Sequence, residues 1–384
     1  MAELYIGLMS GTSCDGTDAV LVDFAPATGS HHPEVLAHHY RPYPEPLRQA
    51  VLDLASAATT HEIALLGPVD RQLGLEYSAT IAELLAKSQR SADTVIAIGC
   101  HGQTIRHQPR LPLPFTLQIG DANTVAQQTR ITTVADFRRR DIAAGGEGAP
   151  LVPAFHAALF RHPQHNRVIV NIGGIANITL LPADLSKPVS GFDCGPGNCL
   201  LDSWIARHHG THYDDNGAWG RQGRLLPELL DTLLNDPFFS RPPPKSTGRE
   251  LFNLSWLEIA CQRLADTTPP AAVDIQATLH ELTAAAITTA IRRSLPEVNE
   301  VIACGGGCAN HYLWERLQLL LGNEVKLSKS SHYGYHPMVI EAVAFAWLAR
   351  ETLHGRCGNL PAVTNASEPV ILGAIYPGDH FYRC

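Results

Sequence analysis

Short apolar runs separated by glycine-containing polar turns open each half of the chain. The runs 4–8 and 19–24 predict two antiparallel strands joined by a polar turn. Residues 167–181 repeat this order as a strand, a turn at Gly173-Gly174 and a second strand. Each half is therefore predicted to begin with a hairpin whose turn contains glycine.

The elements that follow the two hairpins repeat as well. A buried-type strand at 93–98 ends in a Gly-Cys-His-Gly sequence, and one at 300–303 ends in Cys-Gly-Gly-Gly. Each strand has an apolar-periodic helix before it and a further helix and strand after it. These ranges are 70–88, 122–128 and 131–135 in the first half, and 271–293, 311–321 and 324–327 in the second.

Strands that alternate with helices predict α/β layers, and the two hairpins make the sheets mixed. The repeat therefore predicts two similar lobes whose glycine turns face each other across a cleft. The alternative is two unrelated α/β domains that share only common strand patterns.

The N-terminal turn contains the groups that bind phosphate. Glycines let a ligand approach the backbone, and hydroxyls donate hydrogen bonds to phosphate oxygens. Two acids would repel a bare phosphate, so they fit beside one only if Mg²⁺ or its water shell lies between them. These candidates are Ser10, Gly11, Thr12, Ser13, Asp15, Gly16 and Asp18. The alternative is a polar hairpin turn in which Asp15-Gly16 supplies a positive φ.

Composition excludes several classes of function. Of the 384 residues 45% are hydrophobic and 17% charged, the net charge is −8, and no basic stripe indicates nucleic-acid binding. No apolar run approaches the roughly 20 residues that span a bilayer, and the chain enters a strand without a basic leader. Nine cysteines lack metal-ligand spacing, which favours reduced thiols and a cytoplasmic location. No GxxxxGK[ST] motif is present, so a P-loop is excluded.

Asp193 is the strongest candidate for acid–base chemistry. It precedes an amphipathic helix predicted over 199–209, and the dipole of that helix favours the ionised carboxylate. An ionised carboxylate at neutral pH can act as a general base. The alternative is that Asp193 only caps free N–H groups of the helix.

Several polar segments supply further candidates. One arginine of 138–140 can pair with a substrate carboxylate while the others form surface ion pairs. The loop 101–107 suits contacts to substrate hydroxyls, and Glu341 opens a predicted helix over 341–352. The glycines 305–307 suit a flat base or ribose, or else a tight turn. The segment 245–250 is typical of a helix entry or of a ligand contact.

Seven of these strings in order resemble the anhydro-N-acetylmuramic acid kinase family, over residues 5 to about 376. They are GLMSGTSCDG (7–16), HGQTIRH (101–107), ADFRRRD (135–141), NIGG (171–174), GFDCGPGN (191–198), PKSTGRE (244–250) and CGGG (304–307). The resemblance implies the actin/hexokinase/Hsp70-like ATPase fold, an α/β protein of two duplicated RNase H-like lobes with mixed sheets around an interlobe cleft. It implies an N-terminal lobe at 1–130, completed by 346–384, and a C-terminal lobe at 131–345.

The resemblance also implies an activity and its site residues. The family opens the 1,6-anhydro ring of 1,6-anhydro-N-acetylmuramic acid with water and phosphorylates O6 from ATP. The products are N-acetylmuramate 6-phosphate and ADP, in peptidoglycan recycling. The catalytic base falls on Asp193, Mg²⁺ lies near Asp15 and Asp18 through water, and a homodimer is implied. The implied substrate contacts are Gln103, Thr104, Arg140 and Glu341, and the implied ATP contacts are Gly11, Thr12, Ser13, Asp15, Gly16, Asp18, Gly173, Gly174, Gly305, Gly306 and Gly307.

Two other functions remain open on the residues alone. A nucleotide-independent glycosidase could use Asp193 and Glu341, and would release no ADP. An actin- or chaperone-like ATPase would use the nucleotide only to drive lobe motion, but it needs a filament surface or a peptide-binding domain for which this chain has little room.

Overall fold

The computed structural model describes residues 2–11, 13–25, 32–56, 61–264 and 269–379, with the backbone alone for Leu264. Thr12, an implied ATP contact, lies outside the described residues. Across these ranges no helix combines the length and the apolar composition that crossing a membrane requires.

Strands and helices alternate through most of the described chain. The strands are β1 Leu4–Met9, β2 Gly16–Asp23, β3 Glu34–Pro42, β4 Val95–Cys100, β5 Gln103–Gln108, β6 Phe115–Ile119, β7 Thr133–Ala135, β8 Arg167–Ile172, β9 Ile175–Leu181, β10 Ser190–Pro196, β11 Glu300–Cys304, β12 Lys326–Lys329 and β13 Ala374–Tyr376. The α-helices are α1 Glu45–Ser56, α2 Glu62–Ser88, α3 Ala122–Thr129, α4 Arg139–Ala143, α5 Val152–Phe160, α6 Cys199–His209, α7 Pro227–Leu234, α8 Pro237–Ser240, α9 Leu254–Leu264, α10 Ala272–Ser294, α11 His311–Leu321, α12 Ile340–Leu353 and α13 Pro361–Thr364.

The chain divides into two compact units. Unit 1 comprises Met1–Phe155 and Val339–Cys384, and unit 2 comprises His156–Met338. The boundary predicted after residue 130 is too early, because β7 pairs with β4 and β13 in the sheet of unit 1. The boundary predicted before residue 346 would cut through α12, which packs as one helix on β1 and β4.

The sheet of unit 1 has the order β13-β7-β4-β1-β2-β3. Strands β1, β4 and β7 run parallel, whereas β2 and β3 follow β1 as antiparallel neighbours. Helix α12 lies on this sheet so closely that a Cβ at Gly7 or Gly99 would overlap the backbone carbonyl oxygen of Ala342 or Phe345. These two glycines therefore set how near the start of α12 comes to the strands.

The sheet of unit 2 has the order β10-β9-β8-β11-β12. Strands β8, β11 and β12 run parallel, and β9 and β10 are antiparallel neighbours on the other side of β8. One apolar core packs the sheet on α10 and α11, and a second joins α6, α7, α9 and α10.

Both sheets share one strand order, leaving out the separate hairpin β5–β6 and the edge strand β13. In each unit the first strand has a two-strand antiparallel extension on one side and two parallel strands on the other. This confirms the predicted α/β fold of two duplicated RNase H-like lobes with mixed sheets. Strands β3 and β10, which form the outer strand of the antiparallel extension in each unit, are not predicted from the sequence.

Candidate active site

The N-terminal turn, residues 10–15, leaves β1 at the sheet edge where β4 also ends. The side-chain amide of Gln103 binds this turn, since its Nε2 donates to the carbonyl oxygen of Gly11 at 3.0 Å. The positive φ in the turn belongs to Cys14, at 54°, so the Asp15-Gly16 interpretation of the turn is wrong. Gly16 and Asp18 lie in β2, which begins three residues earlier than predicted.

The implied ATP glycines fall into two groups. A Cβ at Gly16 would lie 2.5 Å from a backbone oxygen of β3, and Cβ atoms at Gly305 and Gly307 would crowd the end of β8. Those three are required by packing. By contrast, among the described residues that are not direct chain neighbours, no atom lies within 3.4 Å of a Cβ built on Gly11, Gly173, Gly174 or Gly306, and their φ values are not positive. Glycine at these four positions leaves room for something other than the protein.

The two acids, Asp15 in the N-terminal turn and Asp18 in β2, differ in exposure and in bonding partner. Asp15 is exposed, and its Oδ1 accepts a hydrogen bond from Ser13 Oγ at 2.7 Å. Asp18 is half-buried, with Oδ1 2.7 Å from His38 Nε2. No cluster of three metal-ligating side chains forms among the described residues. A single carboxylate that leaves most positions to water fits Mg²⁺, so Asp15 suits such an ion better than Asp18 does.

The implied sugar contacts of hairpin β5–β6 are partly occupied by protein. Gln103 is fully buried and uses its amide nitrogen on the turn, while its Oε1 has no partner among the described residues. Thr104 is half-buried, and its hydroxyl accepts a hydrogen bond from Gln118 Nε2 at 3.0 Å. Sequence reasoning missed Gln118, which lies opposite Thr104 in the hairpin register.

The three consecutive arginines have three different environments. Arg138 is half-buried and donates from Nε and Nη2 to His101 Nε2, at 3.1 and 2.9 Å. Arg139 pairs with Asp136 at 2.7 Å. Arg140 is exposed, and its guanidinium has no hydrogen-bond or ion-pair partner in the described ranges. Of the three, Arg140 is the one available to a ligand.

Glu341 lies in the first turn of α12, which the glycine contacts bring close to the ends of β1 and β4. Burial lowers the pKa of Arg138 to about 10, and the nearby carboxylate of Glu341 opposes that fall. Burial, helped by Arg138, lowers the pKa of His101 well below its usual range, so the imidazole is neutral. Unit 1 thus brings a half-buried carboxylate, a half-buried guanidinium and a buried neutral imidazole together near the ends of β1 and β4.

Asp193 lies in β10, at a register shift in its pairing with β9. Its backbone N–H donates to the carbonyl oxygen of Lys245 at 3.1 Å, and its Oδ2 accepts from the N–H of Thr247 at 2.9 Å. No ion pair involves its carboxylate within the described chain. The capping interpretation is wrong, because Asp193 bonds to this distant loop, and the residue before α6 is Asn198, which makes no side-chain cap.

The pKa of Asp193 is raised to about 6. Burial is the main cause, the Glu250 carboxylate adds to it, and the Thr247 N–H and Lys245 act against it. The net shift is therefore opposite to the ionisation that the dipole of α6 is predicted to favour, because burial outweighs the groups that stabilise the charge. The carboxyl group is still mostly ionised at neutral pH, and a pKa near the working pH is what general-base catalysis needs.

A cavity of about 300 Å³ lies behind β10 rather than at Asp193. Phe192 and Cys194, the neighbours of Asp193 in the strand, line it together with Phe239, Arg241 and Lys245. Because side chains alternate along a strand, Asp193 belongs to the other face.

Two units of one topology, each with an open glycine turn after its first strand, have the arrangement expected of the actin/hexokinase/Hsp70-like ATPase fold. The family model for anhydro-N-acetylmuramic acid kinase matches residues 3–378. The chain belongs to the anhydro-N-acetylmuramic acid kinase family, and it is an enzyme of the kinase class.

Relatives from two bacteria illustrate the match. The chain is 50% identical over 376 residues to an anhydro-N-acetylmuramic acid kinase of Xanthomonas axonopodis pv. citri, covering 98% of each. It is 48% identical over 379 residues to the one of Coxiella burnetii, covering 99% of each. Among solved structures, component A of the (R)-2-hydroxyglutaryl-CoA dehydratase of Acidaminococcus fermentans matches with a TM-score of 0.46 and 13% identity, over 89% of this chain and 96% of that one.

Proposed function

We propose that this protein opens 1,6-anhydro-N-acetylmuramic acid with water and transfers the γ-phosphoryl group of ATP to O6. The products are N-acetylmuramate 6-phosphate and ADP, and the reaction serves peptidoglycan recycling. Family membership supports the reaction class. The observation that carries the mechanism is the Asp193 carboxylate, held by a backbone N–H, without an ion pair in the described chain and with a pKa of about 6.

In the proposed reaction Asp193 accepts a proton from a water molecule as the water oxygen attacks C1. The C1–O6 bond breaks, and its electron pair stays on O6. That oxygen then attacks the γ-phosphorus, and ADP leaves. One carboxylate serves both steps, because O6 is released already deprotonated.

The remaining assignments follow from the position and the chemistry of each group. Arg140 is the uncommitted cation for a carboxylate of the sugar, and Glu341 and Thr104 offer oxygens for its hydroxyls. Gln103 holds the N-terminal turn with its nitrogen and has Oε1 left for the sugar. Gly11, Ser13, Gly173, Gly174 and Gly306 bind ATP, whereas Gly16, Gly305 and Gly307 shape the turns around it.

Asp15 would hold Mg²⁺, with Asp18 acting through water. When bound, this ion neutralises charge on the β- and γ-phosphates. We further propose a homodimer in the cytoplasm, as the family implies, and sedimentation velocity of the purified protein tests the dimer.

ADP release with and without the anhydro sugar tests the function. We expect ADP to form only with the sugar, in equal amount to N-acetylmuramate 6-phosphate. In ¹⁸O-water the phosphate group should carry no label, because its bridging oxygen is O6. ADP formed equally without sugar would indicate a chaperone-like ATPase, and sugar consumed without ADP would indicate a glycosidase.

A further inference from the structure

The segment Lys245–Glu250 reaches from the Asp193 strand to the glycine turn of unit 2. Its first part binds Asp193 twice, through the carbonyl oxygen of Lys245 and the N–H of Thr247. Two residues further on, the guanidinium of Arg249 lies over the turn. A Cβ built on Gly174 would be 3.5 Å from Arg249 Nη2 and 3.8 Å from Nε.

The guanidinium of Arg249 is exposed and uncommitted. It forms no hydrogen bond or ion pair with any residue in the described part of the chain. Its positive charge acts on the first turn of α6, where it lowers the pKa values of Asp202 and Cys199. Burial raises both pKa values by more, so the net shift is upward. Other arginines of this unit differ, since Arg207, Arg221 and Arg316 are paired with Glu258, Glu315 and Glu281.

The Arg249 guanidinium lies beside Gly173 and Gly174, two positions where neither packing nor backbone conformation requires glycine. The nearest atom to a Cβ at Gly173 would be 3.5 Å away, and neither Gly173 nor Gly174 has a positive φ. Glycine without a conformational or packing reason indicates a backbone that a ligand approaches closely. A planar guanidinium at the edge of such a backbone has the donor geometry for phosphate oxygens.

We propose that Arg249 binds the γ-phosphate of ATP and stabilises the charge of the transferring phosphoryl group. This rests on the proposed function, since the γ-phosphate is the part of the nucleotide that must approach the acceptor at Asp193. Arg249 follows by two residues the N–H that binds the Asp193 carboxylate, so one short segment serves both the base and the phosphate.

Substituting Arg249 tests this in the full chain, first by binding without sugar. For Arg249→Gln we expect the affinity for a non-hydrolysable ATP analogue with Mg²⁺ to fall about tenfold, and that for ADP to stay within twofold, by calorimetry. Turnover should fall roughly 100-fold or more, as for loss of one preorganised donor to transition-state charge. Arg249→Lys keeps the positive charge but lacks the paired N–H donors of the guanidinium. We therefore expect it to retain a larger fraction of the wild-type affinity for the analogue than of the wild-type turnover.

Arg241→Gln is the matched control, because Arg241 is an exposed arginine of the same loop that lines the cavity behind β10. We expect wild-type affinities and turnover from it. Unchanged analogue affinity in Arg249→Gln, or an equal loss for ADP and the analogue, would overturn the assignment. The binding comparison needs no sugar, so it is readable even if the wild-type protein phosphorylates a different acceptor.

Discussion

At the scale of single residues, environment decides chemistry more than residue type does. Asp193 and Asp202 both have pKa values raised to about 6 by burial. Asp202 lies in the first turn of α6 near Arg249, whereas Asp193 is held by the Thr247 N–H without a cation paired to it. Of these two carboxyl groups, Asp193 is the one whose orientation is fixed by the Thr247 hydrogen bond.

Replacing Asp193 by Asn should keep the shape of the site and remove the base. The asparagine oxygen can still accept the Thr247 hydrogen bond, so we expect ATP affinity and melting temperature to change little. Turnover should fall by roughly 10²- to 10⁴-fold, the usual contribution of a general base. Coupled ADP release measures the turnover, titration calorimetry the ATP affinity, and thermal unfolding the melting temperature.

Asp231→Asn is the control for this substitution, because Asp231 is an exposed carboxylate on α7 of the same unit. It should behave as wild type. An Asp193→Asn variant with near-normal turnover would show that another group takes the proton.

The pH dependence of kcat/KM should show the pKa of Asp193 on its acidic side. The base works when deprotonated, so kcat/KM should fall tenfold per pH unit below about pH 6. The Glu250 carboxylate raises this pKa, and Glu250→Gln should therefore move the acidic limb to lower pH. A limb that stays in place in Glu250→Gln, measured at saturating Mg²⁺ and ATP, would contradict the assignment of that limb to Asp193.

At the scale of elements, the position of α12 depends on two strand glycines. Gly99→Ala would drive a methyl group into the backbone of α12 at Phe345. Overpacking of this kind costs about 1–3 kcal/mol, and a backbone neighbour can yield less than a side chain, so we expect at least about 2 kcal/mol of lost stability. Urea unfolding measures it.

Gly306→Ala serves as the stability control, since the nearest atoms to its Cβ would be 3.8 Å away. Its free energy of unfolding should stay within about 0.5 kcal/mol of wild type. Equal stability of both variants would mean that α12 can shift without cost, and that Glu341 is less firmly positioned than the glycine contacts indicate.

At the scale of the whole molecule, the two units differ in chain continuity. Unit 2 is one stretch, His156–Met338, and both of its apolar cores consist of its own residues. Unit 1 needs the C-terminal stretch, because α12 covers β1 and β4, and β13 completes the sheet. That the two units close around a cleft stays a prediction.

This difference predicts the outcome of truncation. A fragment of residues 156–338 should unfold cooperatively in thermal circular dichroism. A fragment of residues 2–338 should show that same transition but no folded unit 1, because its sheet would lack α12. Cooperative folding of unit 1 in the longer fragment would contradict the role assigned to α12.

Local patterns predicted most elements well. Helices 199–209 and 311–321 have the predicted bounds, and the hairpin over 167–181 has its turn at Gly173-Gly174. The prediction missed strand residues whose sequence is typical of a loop. β10 contains three glycine or proline residues, and β2 begins inside the segment predicted as a polar turn. Pairing with a neighbouring strand extended both elements beyond what their own residues favour.

The order of glycines, acids and apolar runs was enough to determine the α/β class, the duplication and the family, because these depend on residues close together in the chain. Which candidates are free to act was decided only by the tertiary structure. Asp193 accepts a hydrogen bond from Thr247, 54 residues away, and its pKa is raised mainly by burial in the folded chain. Arg138 and Arg140 are two residues apart, yet only folding bonds the first to His101 and leaves the second exposed.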